Sequence, residues 1–137
     1  IVWGHPEPPA GRIEKSIGRG RVRTRMAVVA RGGKPAVTFY ETKASYGRLA
    51  SFMHCRLATG RTHQIRVHMA SVGAPLVGDL IYNRKSTGSE QARKQLGIKG
   101  HALHSSFIAF RHPIDDREMQ FACPLPADLE QLLAALR

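Results

Sequence analysis

Two stretches of alternating polar and apolar residues predict neighbouring β-strands in the middle of the chain. Residues 36–43 place Thr38 and Tyr40 on one side of a strand, and residues 49–57 repeat the alternation. A period of two is typical of strands that bury one face. The Tyr46-Gly47 pair between them favours a turn. We therefore predict an antiparallel pair at the centre of the fold.

Weaker patterns predict the remaining elements. Strand-like alternation occurs at residues 1–3, 12–17, 21–29, 103–110 and 118–122. Helical spacing occurs at residues 90–96 and 128–136, and the second of these carries four leucines at i, i+3, i+4 and i+7. Residues 5–11 hold three prolines and are predicted to form a loop.

A short helix is predicted to begin after Thr62, whose hydroxyl can cap its first turn. Ile65, Met69 and Val72 follow at i, i+4 and i+7 and form one apolar stripe. Arg66 lies on the neighbouring face, so the packing that buries Ile65 also fixes the direction of the guanidinium.

Glycines and basic residues flank this helix. Gly60 favours a turn because it tolerates a positive φ, and Gly73 and Gly78 favour the end of the helix and a rigid turn after it. Arg61 and His63 lie at the helix start, where free N–H groups attract anions. The residues alone allow two interpretations, an anion-binding site for nucleic acid or a surface helix with solvated arginines.

The charge of the chain indicates a polyanionic partner. Lys and Arg number 21 against 10 for Asp and Glu, which gives a formal net charge of +11 in 137 residues. Binding to RNA or DNA is favoured by such an excess because phosphate neutralisation releases counterions. A ribosomal-type or membrane-surface protein would show a similar charge.

Basic residues are densest in residues 12–34, where eight cations face one acid. They are Arg12, Lys15, Arg19, Arg21, Arg23, Arg25, Arg31 and Lys34. In a strand, Arg21, Arg23 and Arg25 would point the same way. The segment is interpreted either as a flexible solubilising hairpin or as an arm that contacts phosphates. The lack of aromatic residues among the arginines favours contacts to the nucleic-acid backbone over base stacking.

Several classes of protein and site are disfavoured. No apolar run approaches the roughly 20 residues of a membrane helix, and no secretory signal is visible. Cys55 and Cys123 form no CxxC pair, and His63 and His68 are five residues apart, so no metal site is expected. We expect a cytoplasmic protein with reduced thiols.

The residues 59–68, which read TGRTHQIRVH, resemble the third motif of the RluA/RluD-type family of pseudouridine synthases. The resemblance continues through a GxPxxGD loop to Asp79 and then Tyr82. The segments GGKPAVTFY, HALHSSFIAFRHP and FACPLPADLEQLLAAL also resemble family segments, so the likeness covers essentially the whole chain.

The resemblance implies an α/β (α+β) fold, with a mixed, mostly antiparallel bent sheet and flanking helices around a cleft. It implies an Asp nucleophile, a Tyr against the flipped base, an Arg paired with that Asp, and no cofactor or metal. The motif places this Arg at Arg66. Leu103 matches an apolar residue near the base, although an ordinary core leucine fits it equally. The implied partner is structured RNA, with large-subunit ribosomal RNA preferred over transfer RNA and no obligate protein partner.

One part of the family pattern is missing. The nucleophile lies in an H/R-x-L-D-x-x-T-S/T-G segment, and none of the four aspartates (Asp79, Asp115, Asp116 and Asp128) matches it. Asp79 is interpreted as structural. We expect residues 1–137 to be the C-terminal part of one catalytic domain, inactive alone because Arg66 has no Asp partner within the chain. The alternatives are a non-catalytic basic RNA-binding module and a ribosome-associated structural protein.

Overall fold

A computed structural model of the chain describes every residue except 23, 84–93 and 95. The strands are β1 (Val2–Trp3), β2 (Ala10–Glu14), β3 (Ile17–Arg19), β4 (Met26–Val28), β5 (Val37–Tyr46), β6 (Ala50–Leu57), β7 (Phe107–Arg111) and β8 (Glu118–Ala122). The helices are α1 (Gln64–Ser71) and α2 (Ala127–Ala135). None of the helices formed by these residues is both long and apolar enough to cross a bilayer.

A four-stranded antiparallel sheet with the order β1-β6-β5-β2 forms the centre of the fold. The long pair β5–β6 was predicted from alternation and is confirmed. Its register shifts between Thr42 and Ala44, and an irregularity of this kind bends a sheet locally. The hairpins β3–β4 and β7–β8 stand beside this sheet. This α+β arrangement with a bent antiparallel sheet confirms the predicted fold class.

Helix α1 packs against one face of the sheet through a buried polar network. His68 Nε2 donates to the Lys15 carbonyl at 2.9 Å, so its Nδ1 must accept, and the Thr38 hydroxyl donates to it at 2.9 Å. Thr38 Oγ1 in turn accepts a hydrogen bond from Gln64 Nε2 at 3.0 Å. Burial lowers the pKa of His68, which agrees with a neutral imidazole. The network fixes the rotation of α1 on the sheet.

Helix α2 covers a second apolar core. Its buried side chains Leu129 and Leu132 pack with Ile1, Val77 and Ile98. Because Leu132 is fully buried, the amphipathic pattern predicted for residues 128–136 is confirmed.

The outer edge of β6 is largely open. Strand β1 pairs only with Ala50 and Ser51. Along the described part of the chain, no strand pairs with the outer edge of residues 52–57. Backbone N–H and C=O groups on such an edge can accept another strand.

Some of the sequence-based strand predictions change. Residues 21–29 do not form one strand, because Gly20 N–H bonds to the Arg25 carbonyl and closes a turn at the hairpin tip before β4. The strand predicted at residues 103–110 begins only at Phe107. The helix predicted at residues 90–96 falls mostly outside the described residues.

Thr38→Val is expected to destabilise this chain by about 1–3 kcal/mol, because the methyl group leaves His68 Nδ1 and a Gln64 N–H buried without partners. Thr38→Ser keeps the hydroxyl and serves as the matched control. Urea unfolding curves of the two variants measure the difference. Equal stability of the two variants would contradict the role given to the hydroxyl.

Candidate functional site

The chain enters α1 through a strained residue. His63, which precedes the helix, has φ 56° and ψ 24°, the left-handed region that non-glycine residues adopt rarely. Such a conformation costs roughly 1–3 kcal/mol and tends to occur at functional sites. The predicted cap is wrong, because the residue at the N-cap position is His63 and not Thr62. Gly60, predicted to need a positive φ, does not adopt one.

Gln64 closes the turn that leads into the helix. Its Oε1 accepts hydrogen bonds from the Arg61 N–H at 2.9 Å and the Thr59 hydroxyl at 2.8 Å. Its Nε2 donates to the Val37 carbonyl and to Thr38 Oγ1, both at 3.0 Å. One buried amide therefore ties the turn of residues 59–63 to strand β5, and this rigid connection supports the strain at His63.

Arg66 forms a buried, two-pronged ion pair with Asp79. Its Nε donates to Asp79 Oδ2 at 2.8 Å, and its Nη2 donates to Oδ1 at 2.9 Å. The side chain of Arg66 is 10% exposed and that of Asp79 is fully buried. The expectation that Arg66 lacks a carboxylate partner within the chain is wrong. The reason is the turn at Gly78 (φ 76°), which brings the Asp79 carboxylate beneath the helix.

Electrostatics and hydrogen bonds keep this pair charged. Burial alone would raise the pKa of Asp79, but hydrogen bonds from Arg66 and from the backbone N–H groups of Ile81 and Tyr82 outweigh it and lower the pKa. The hydrogen bond to Asp79 raises the pKa of Arg66. Both groups are therefore ionised at neutral pH, and the Asp79 carboxylate accepts four hydrogen bonds in all.

Tyr82 contacts both the ion pair and hairpin β3–β4. Its ring lies under the guanidinium of Arg66, with 4.8 Å from Cζ to the ring centroid. Its hydroxyl lies 2.7 Å from His63 Nδ1 and accepts the Met26 N–H of β4 at 3.2 Å. Tyr82 thus contacts the helix start, the ion pair and the hairpin at once.

A basic groove of about 540 Å³ separates hairpin β3–β4 from the turn of residues 59–63. Its described lining includes Arg19, Lys34, Arg61 and His63 and contains no acidic residue. Lys34 is held at the groove by paired backbone bonds with Ile17 of 2.8 and 2.9 Å. Arg61 is anchored by its Nε, which donates to the Pro35 carbonyl at 3.1 Å. The arrangement is suited to an anionic ligand.

A separate apolar cavity of about 440 Å³ lies on the other side of α1. Leu103, which is 39% exposed, lines it together with Ile65, Met69 and Cys55. Arg66 is not among its lining residues. The described structure therefore does not bring Leu103 and Arg66 into one cavity.

The other predicted site residues divide into three groups. Arg19, Arg61 and His63 line the basic groove. Arg21 and Arg25 are exposed in the turn of the hairpin, and Arg23 lies outside the described residues.

Among the residues that are described, no group of three or more His, Cys, Asp or Glu side chains could hold a metal ion.

Sequence reasoning missed three contributors to the site: Asp79 as the partner of Arg66, Tyr82 as the junction, and Gln64 as the closure of the turn. Asp79 and Tyr82 belong to the matched segment, but spacing along the chain carries no sign of these contacts. Only the turn after α1 brings them to the helix.

Asp79→Asn is expected to cost about 3–5 kcal/mol at pH 7, because it leaves the buried Arg66 guanidinium without a countercharge. The folded pKa of Asp79 is lowered, so its contribution is complete above the unfolded pKa of about 3.9 and is lost as pH falls through the folded pKa. The difference in free energy of unfolding between the native chain and Asp79→Asn should therefore decrease as the pH falls. Urea unfolding at several pH values measures it.

Asp116→Asn is the control for this experiment, because Asp116 pairs with Arg111 on the exposed hairpin. It should change the stability by less than about 1 kcal/mol. A gap between the native protein and Asp79→Asn that is constant with pH would contradict the ionised pair.

Comparison with known proteins identifies the family. The protein-family model described as RNA pseudouridylate synthase matches residues 1–71, a range that ends with α1. An uncharacterised RNA pseudouridine synthase of Mycobacterium tuberculosis is 39% identical over 137 residues, covering 100% of this chain and 43% of that protein. Ribosomal large subunit pseudouridine synthase D of Neisseria meningitidis is 45% identical over 136 residues, covering 95% of this chain and 36% of that protein.

A solved structure agrees. Human RNA pseudouridylate synthase domain containing 1 superposes with a TM-score of 0.72 at 26% identity, covering 98% of this chain and 62% of that chain. This chain spans less than half the length of the two bacterial relatives. The family model matches more than half of the chain, and the relatives agree with it in sequence and in fold. The chain therefore belongs to the RNA pseudouridylate synthase family.

Proposed function

We propose that this chain is part of an enzyme that isomerises uridine to pseudouridine in structured RNA, with large-subunit ribosomal RNA as the preferred substrate and the cytoplasm as its location. The observation that carries the substrate class is the 45% identity to a ribosomal large subunit synthase across nearly the whole chain. Transfer RNA is the second choice.

The charge distribution supports RNA as the partner. A net charge of +11 is combined with a groove whose described lining has three cations and no acid. Phosphate contacts of this kind supply affinity and register, whereas they carry little information about base sequence.

Arg66 is proposed to serve two carboxylates. The guanidinium has five N–H donors, and Asp79 uses two of them. The remaining donors suit a second carboxylate, the Asp nucleophile of the family. Asp79 would then act as the fixed counterion that orients the arginine, and the arginine would keep the nucleophile ionised.

A segment outside these 137 residues is proposed to supply that nucleophile. The Asp79 carboxylate is fully buried and already accepts four hydrogen bonds, and Asp115 and Asp116 lie at the exposed tip of hairpin β7–β8. Asp128 lies in the first turn of α2, with its Oδ1 accepting the Leu129 N–H. The open edge of β6 at residues 52–57 offers backbone N–H and C=O groups with which such a segment can pair.

A non-catalytic RNA-binding module is the alternative. It is favoured by one observation. None of the four aspartates lines the basic groove or the apolar cavity, and Asp79 is already paired with Arg66. The two functions differ in whether the whole protein that contains this chain forms pseudouridine.

In that whole protein, Arg66→Lys is expected to slow uridine isomerisation by about a hundredfold or more, because lysine keeps the charge but lacks the planar fork. Arg117→Lys, a change at an exposed ion pair on the β7–β8 hairpin, should leave the rate unchanged. Chemical mapping of pseudouridine in ribosomal RNA after incubation with each protein gives the rates.

The isolated chain of 137 residues serves as a second arm. It is expected to bind RNA without forming pseudouridine. Isomerisation by the isolated chain would refute the external nucleophile. RNA binding without pseudouridine formation by the whole protein would favour the non-catalytic module.

A further inference from the structure

The basic groove contains one polar side chain whose hydrogen-bonding state can be assigned from its neighbours. His63 lines the groove, and its Nδ1 lies 2.7 Å from the Tyr82 hydroxyl. That hydroxyl oxygen already accepts the Met26 N–H at 3.2 Å. If His63 Nδ1 carried the proton, the Tyr82 O–H would have no acceptor among the described residues.

The arrangement that satisfies all three groups has Tyr82 O–H donating to Nδ1 of a neutral His63. The imidazole proton is then on Nε2, for which no described residue provides a partner. Burial and the nearby Arg66 guanidinium lower the pKa of His63, in agreement with the neutral form. His63 therefore presents an uncharged N–H donor in a groove that otherwise offers cations.

The left-handed backbone at His63 has a consequence for this donor. A residue with helical φ and ψ at this position would direct its side chain differently relative to Tyr82. Gln64, bonded to Thr59, Arg61 and Val37, holds the strained conformation. The local geometry thus maintains an imidazole between the hydroxyl and the groove.

We propose that this groove binds a segment of RNA sugar-phosphate backbone, in which His63 Nε2–H donates to a phosphate oxygen while Lys34 and Arg61 supply the charge. Tyr82 is a positioning residue, because its one hydroxyl orients His63 and fixes hairpin β3–β4 at the same time. The inference rests on the proposed function for its partner, RNA, but it does not depend on catalysis.

The test uses the 137-residue chain and a short fluorescein-labelled RNA stem–loop, with binding followed by anisotropy. His63→Asn fits a positive φ, yet its amide reaches only the position of Nδ1. His63→Gln places an amide N–H near the position of Nε2. Affinity should fall about tenfold for His63→Asn, and His63→Gln should recover a large part of it. Equal affinity for the native chain and both variants overturns the proposal.

The salt dependence separates the neutral donor from the cations. Lys34→Gln removes one phosphate-neutralising charge, so the slope of log K against log salt should decrease by about 0.7–0.9. His63→Asn should weaken binding without changing this slope. A slope that falls with His63→Asn as it does with Lys34→Gln would show a charged histidine and overturn the assignment.

Tyr82→Phe tests the positioning role and keeps the ring under Arg66. Nitrogen-15 NMR of the native chain should show the Nε2–H tautomer of His63, and Tyr82→Phe should convert it to a mixture. The double variant with His63→Asn should lose less affinity than the sum of the two single losses, since both changes remove the contact between His63 and Tyr82, and only Tyr82→Phe also removes the Met26 contact. Additive losses, or a native Nδ1–H tautomer, would overturn the role of Tyr82.

Unlabelled polyglutamate added as a competitor checks the class of ligand. Displacement of the stem–loop by polyglutamate as effectively as by unlabelled RNA would assign the groove to acidic polypeptides and overturn the proposal. Because no step of this test measures isomerisation, failure of the groove is distinguishable from failure of the proposed enzyme.

Discussion

The two-pronged ion pair between Arg66 and Asp79 is the interaction on which the rest of the site depends. A buried guanidinium is tolerated only with a countercharge, and Asp79 provides it with both oxygens. The carboxylate also accepts the N–H groups of Ile81 and Tyr82, so the pair fixes the chain after α1. As a result the ring of Tyr82 lies under the arginine. One electrostatic contact therefore positions the Arg66 guanidinium, of which Asp79 uses two of the five N–H donors, and the tyrosine that contacts hairpin β3–β4.

The neutral polar network beneath α1 complements this charged pair. Gln64, Thr38 and His68 connect the helix to the sheet through bonds of 2.9–3.0 Å, and each buried polar atom in the chain of bonds has a partner. Because partly satisfied networks are costly, the helix has one favourable rotation on the sheet. That rotation places Arg66 towards Asp79 and Ile65 towards the apolar cavity. A rigid base of this kind also explains how a left-handed histidine persists at the helix start.

The residues indicated the site region without revealing its connections. Alternation predicted β5 and β6, and leucine spacing predicted α2, because burial of one face imposes a local period that the sequence must show. The motif at residues 59–68 indicated a segment that lines the basic groove. A strand was predicted at residues 21–29 because three arginines at period two imitate a strand face. The strand β4 begins only at Met26, and the backbone bond from Gly20 to Arg25 that precedes it has no signature in side-chain spacing.

By itself, the sequence determined the antiparallel centre, the terminal helix, the basic character and the resemblance to pseudouridine synthases, all of which follow from local pattern or residue identity. Only the tertiary structure decided that Arg66 has a carboxylate within the chain, that Tyr82 contacts His63 and Met26, and that Leu103 lines a cavity to which Arg66 does not contribute. These facts depend on contacts between residues far apart along the chain. Such contacts are set by how turns and packing bring segments together, and a short-range pattern does not encode them.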